Sequence, residues 1–189
     1  MSAAITQTPE KTAIIEAVKN ILEEQKFRYD YDEDRHSFHI TLGLSGMIKA
    51  SNVHIEVLNT AIYVDSVISI YADPHNKAQL RRMAEFICRV NYWLRSGGFE
   101  FDFHDGEIKY KTFQLCPEPP TEDMIIGILS LQCKMIDTYA PGIIKVLAGN
   151  CDIEEVIDRC DNPEKYKDED EPDEDISTDI FDDDNGDQD

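Results

Sequence analysis

The sequence predicts an α+β fold, with helices packed against an antiparallel sheet, and three observations carry that prediction. Apolar residues recur at helical spacing near the start and in two later stretches, and alternate with polar ones in between. Short polar turns separate the alternating stretches, which favours hairpin pairing over long crossovers. Each alternating stretch is apolar on one side, so the sheet has a face that must be covered, and the helices supply the cover.

The elements follow in order. Residues 1–8 read as a flexible leader. Thr8 is placed to cap a helix with Pro9 at its first position, where a missing N–H costs nothing. Ile14, Ile15, Val18, Ile21 and Leu22 keep helical spacing to about Gln25. Phe27, Tyr29 and Tyr31 switch to a period of two, and the turn 32–35 leads to a second strand from His36 to about Leu44. Val53, Ile55 and Val57 make a third strand. A fourth runs from Ile62 to Tyr71, where the alternation slips between Val64 and Val67 and predicts a bulge near Asp65-Ser66.

Asp73-Pro74 introduces a second helix, about 76–96, closed by Gly97-Gly98 acting as a left-handed C-cap. The hairpin 99–113 follows, turning at Asp105-Gly106 in the type I′ manner. Cys116-Pro117-Glu118-Pro119-Pro120 is an extended connector. Thr121 caps a third helix that ends near Tyr139, because Pro141-Gly142 is a breaker pair, and Ile143–Ala148 reads as a short further turn or helix. Asp152 and Glu155 have capping-box spacing ahead of Val156-Ile157. One domain is therefore expected over 9–160, with 161–189 a disordered acidic tail too poor in apolar residues to offset its ordering entropy.

Composition excludes several function classes. The net charge is −21, and residues 161–189 hold fifteen acids against two lysines. Nucleic acid and anionic membrane surfaces both require clustered Lys and Arg, so neither is an expected partner. No stretch approaches the ~18 apolar residues of a membrane span. The five cysteines are odd in number and lack a CxxC, the profile of reduced thiols in a cytoplasmic protein.

No set of residues carries recognisable chemistry. His36 and His39 point to opposite faces of one strand and cannot share a metal, and no metal or cofactor is expected. Ser45 misses the spacing of a nucleophile elbow. Cys88 and Cys133 sit in apolar helices and read as core. Glu100 and Asp102 face Glu107 and Lys109 or Lys111 across the hairpin, a wet-face charge pairing without catalysis. The chain is read as non-enzymatic.

The second helix is the unusual element. Leu80, Met83, Ala84, Ile87, Asn91 and Leu94 share one face, and Phe86, Val90 and Trp93 widen the apolar arc beyond half the circumference. A helix lying on a sheet typically needs a stripe of ~100° or slightly more. The excess requires cover from the first or third helix, from the connector, or from a second subunit or protein partner. Phe86, Val90 and Trp93 are accordingly the candidate partner-binding residues. Asn91 and Gln132, each inside an apolar stripe, read as structural anchors to strand backbone.

The run Asn91-Tyr92 through Phe99-Glu100-Phe101-Asp102, then Asp105-Gly106-Glu107-Ile108-Lys109-Tyr110-Lys111, resembles the YbjN family of candidate bacterial sensory transduction regulators. Asp137-Thr138-Tyr139-Ala140-Pro141-Gly142-Ile143 also resembles the end of the following helix in that family. The likeness spans about residues 10–149 and is strongest over 84–113. It implies a type III secretion chaperone-like sandwich, with a strongly curved antiparallel sheet. It also implies a regulator or adaptor, in a fold whose relatives often dimerise and hold a client segment on an apolar surface. The expected function is a chaperone-like or regulatory protein-binding module using the helix and sheet surface. The alternative places function in the acidic tail, as a binder of a basic protein or a mimic of nucleic acid, with the domain as its carrier.

Overall fold

The computed structural model describes residues 9–166. The expected leader and the tail from Lys167 onward lie outside the described residues. The elements are α1 (Pro9–Glu24), β1 (Tyr29–Asp32), β2 (Ser37–Gly43), β3 (Ala50–Val57), β4 (Ala61–Val67), α2 (Lys77–Trp93), β5 (Gly98–Phe101), β6 (Ile108–Leu115), α3 (Glu122–Ala148) and α4 (Ile153–Asp161). A 3₁₀ turn, Pro163–Tyr166, follows α4. The strands form one antiparallel sheet in the order β1-β2-β3-β4-β6-β5. The α+β architecture read from the sequence is the one observed.

The sheet is apolar on one face, as alternation requires. Phe38, Ile40 and Leu42 of β2, and Val53, Ile55 and Val57 of β3, are buried there beneath α1 and the first half of α3. The other half of the sheet and α2 bury Met83, Phe86, Val90, Phe99, Ile108 and Tyr110 against the second half of α3 and α4. Two apolar cores thus share one sheet, and α3 spans both. Between them, the Gln132 Nε2 group donates to the Val64 carbonyl and the Thr112 hydroxyl, each at 3.1 Å. This is the strand anchor expected of Gln132.

Four local expectations are corrected. No bulge interrupts β4: Ile62, Val64, Ser66 and Ile68 keep one parity, Ser66 fills a core position, and Val67 turns to the outer face. The slip lay in the apolar pattern, because a small polar residue occupies an inward site. α2 ends at Trp93, short of Ser96, with Leu94 already extended. Gly97 does adopt a positive φ of 68°, but in the turn entering β5, where a Cβ would lie 2.5 Å from the Lys111 carbonyl oxygen. The hairpin turn is longer than type I′. Strand pairing ends at Phe101 and Ile108, and Gly106 has a positive φ of 78° while Asp105 does not.

The fourth correction is the largest. α3 runs unbroken through Pro141-Gly142 to a Gly149 cap. Proline in a helix interior costs ~3 kcal/mol. Tyr139, Ala140, Ile143 and Val146 are all buried on either side of it, and burying such side chains stabilises by about 1.5–3 kcal/mol each for the larger ones, enough to outweigh the proline.

Candidate functional site

The structure separates the three candidate partner-binding residues. Phe86 and Val90 are each 1% exposed, whereas Trp93 is 73% exposed. Gly142 decides the position of Phe86: a Cβ there would lie 2.7 Å from the Phe86 ring and 2.7 Å from Cys160 Sγ. The missing side chain opens a slot between α3 and α4 that the Phe86 ring fills. The wide apolar arc of α2 is therefore covered within the chain, by α3 and α4, and Phe86 and Val90 are core residues unavailable to a partner.

Asn91 behaves as the sequence suggests. Its amide nitrogen donates to the Phe99 carbonyl and its oxygen accepts the Phe99 N–H, both at 2.8 Å. The side chain imitates a neighbouring strand along the free edge of β5. This fixes the last turn of α2 against the sheet and sets the position of the two residues that follow.

Those residues are Tyr92, 77% exposed, and Trp93. No other large apolar side chains among the described residues are as exposed. Their rings stand at 90° with centroids 4.9 Å apart, forming an aromatic corner at the end of α2. The corner opens on a cleft of about 540 Å³ between α2 and α4, whose lining includes Cys88, Arg89, Ile157, Asp158 and Asp161. Cys88 is exposed in it, contrary to its reading as core.

Charges around the cleft are mostly negative and mutually braced. Arg89 bridges Glu85 at 2.9 Å and Glu154 at 2.8 Å, and these carboxylates raise its pKa further. Asp158 accepts from Lys165 and Asn162 and from the Tyr166 hydroxyl. Lys165 first, then Tyr166 and Asn162, hold its carboxyl down to about 2. Asp161 accepts from the Tyr139 hydroxyl at 2.7 Å. Tyr139 is pushed well above the usual phenol range, by burial first and by this carboxylate second.

A larger concavity, about 710 Å³, lies on the other side of α4. It is lined by Lys145 and Arg159 together with Asp137, Asp152 and Glu155, and by Cys151 and Cys160. On the outer sheet face, His39 stacks on His54 at 4.7 Å, and His54 Nδ1 lies 3.2 Å from Asp65. Among the described residues, no group of three or more His, Cys, Asp or Glu could hold a metal ion. Glu100 meets Lys109 and Lys111 across the hairpin, as its alternation suggested. Among the described residues, no helix is long and apolar enough to cross a membrane.

Against known proteins, no family model and no curated protein matches the sequence. Solved structures resemble the fold. The crystal structure of YbjN from E. coli, described as a candidate transcription regulator, superposes with a TM-score of 0.51 at 9% identity, covering 71% of this chain and 91% of that one. An uncharacterised protein from Methanothermobacter thermautotrophicus gives a TM-score of 0.44 at 16% identity, covering 66% and 94%. The YbjN likeness shows a shared fold, which is the part of the sequence resemblance it supports.

Proposed function

We propose that this chain is a non-enzymatic protein-binding module, a divergent YbjN-like adaptor or regulator, that docks a partner at the Tyr92–Trp93 corner. The observation that carries this reading is the exposure of two adjacent aromatic rings at the rim of a cleft. Tyr and Trp are enriched at interface hot spots because they bury large rigid area at little entropic cost. The designation of the E. coli neighbour as a candidate regulator agrees with this reading.

The test is capture of partners from lysate by the full chain against the Tyr92→Ala/Trp93→Ala double variant. Loss of specific partners in the variant supports docking at the corner. Alkylation of Cys88 with a bulky maleimide should block the same capture, and Cys88→Ser should escape the block. Unchanged capture by the double variant would sink the proposal.

A second reading rests on the fifteen acids of residues 161–189, which suit a basic partner or a nucleic-acid-mimicking role. It predicts capture that survives the double variant and disappears on truncation after Tyr166.

A further inference from the structure

Resting on that reading, we propose that the corner receives an amphipathic, arginine-bearing segment of the partner protein, the guanidinium lying against the Tyr92 and Trp93 rings. The argument is charge complementarity. Glu154, Asp158 and Asp161 line the cleft against Arg89 alone. Arg89 is engaged by Glu85 and Glu154, Asp158 by Lys165, and Asp161 accepts from the neutral Tyr139 hydroxyl, so the lining keeps an excess of negative charge. The described residues 9–166 carry 26 acids against 17 Lys and Arg, a net charge of −9. A cation therefore meets an attractive field on approach and an aromatic surface on arrival, whereas an acidic segment meets neither.

The lining also suits such a ligand chemically. Ile157 and the ring edges give an apolar floor, suited to the alkyl stem of arginine and to an adjacent leucine. Two rings at right angles provide two walls against which a planar guanidinium can rest. Arg159 over the Tyr166 ring, 4.2 Å from its centroid, shows the same pairing already made nearby within the chain.

Trp93 is the single tryptophan, so its emission reports on this site and no other. The experiment titrates full-length protein with three helical peptides of one Leu/Ala pattern, bearing Arg, Gln or Glu at the polar positions. The expected result is a saturable change in Trp93 emission with the Arg peptide, weaker at high salt. Tyr92→Ala should weaken binding by about 3- to 30-fold. Glu154→Gln should weaken it by about two- to fivefold and reduce the salt dependence.

Equal binding of the Gln peptide, abolished by Tyr92→Ala, would overturn the arginine assignment while leaving the corner as a docking site. Binding of the Arg peptide with unaltered Trp93 emission, indifferent to Tyr92→Ala, would assign it to the acidic stretch and overturn the inference. No response to any peptide, with lysate capture also indifferent to the double variant, would overturn both the inference and the reading beneath it.

Discussion

At the residue scale, neighbouring positions of one helix carry opposite roles, and stability measurements distinguish them. Phe86 fills the slot above Gly142, so Phe86→Ala should destabilise the domain by about 3–5 kcal/mol. Trp93→Ala removes an exposed ring and should stay within about 0.5 kcal/mol of the parent. Denaturant midpoints of the two variants check this, and similar losses from both would contradict the assignment of Trp93 to the surface. Asn91→Ala removes the amide that pairs both polar groups of Phe99, and should cost about 1–3 kcal/mol. The sequence could identify Asn91 as an anchor because an amide in an apolar stripe needs a partner. It could not tell Phe86 from Trp93. Both flank the stripe on a helical wheel, and the difference is made by a glycine on another helix. Tyr92 was legible only as an aromatic lying off the stripe at a helix end, a signal that the width of the apolar arc obscured.

At the scale of elements, the succession of helices and strands was readable because alternation and helical spacing are local signals, whereas the pairing of β4 with β6, the termini and the breaks depended on tertiary packing. The stacking of His39 on His54 depends on β2–β3 register, which local spacing does not specify. α3 shows the same point through Pro141, an exposed residue held in a helix by its buried neighbours. Pro141→Ala should restore the missing N–H without loss of packing and stabilise by up to about 3 kcal/mol. The thermal midpoint should rise about 2–4 °C per kcal/mol, and a fall would show that the proline is required. The clip between α4 and the 3₁₀ turn is pH-dependent. The Asp158 carboxyl lies at about 2 in the folded chain, below its ordinary value of 3.8, so folding favours its ionised form. Its contribution is fully present above about 4 and is lost as pH falls through about 2. Amide protection factors in residues 162–166, taken relative to intrinsic exchange at each pH, should fall over that window, and Asp158→Asn should remove the dependence.

At the scale of the whole molecule, the two cores are mechanically joined rather than independent. α3 contributes Ile125 and Leu129 to one core and Ile136, Tyr139, Ile143 and Val146 to the other, and β4 and β6 run side by side beneath it. Separating the cores would break α3 at its middle and strip Gln132 from the Val64 carbonyl and the Thr112 hydroxyl, leaving buried polar groups unpaired. An unmet buried hydrogen-bonding group costs about 1–3 kcal/mol, so a half-folded intermediate has little to stabilise it. Unfolding should then be a single transition. Trp93 reports from the end of α2 on one core, and far-UV circular dichroism reports from all helices, α1 of the other core included. The two denaturation curves should coincide in midpoint and slope. Gln132→Ala should shift both curves together to lower denaturant. If the Trp93 curve instead separated from the dichroism curve, the half bearing the aromatic corner would open on its own, and partner docking would act on a local equilibrium rather than on a rigid platform.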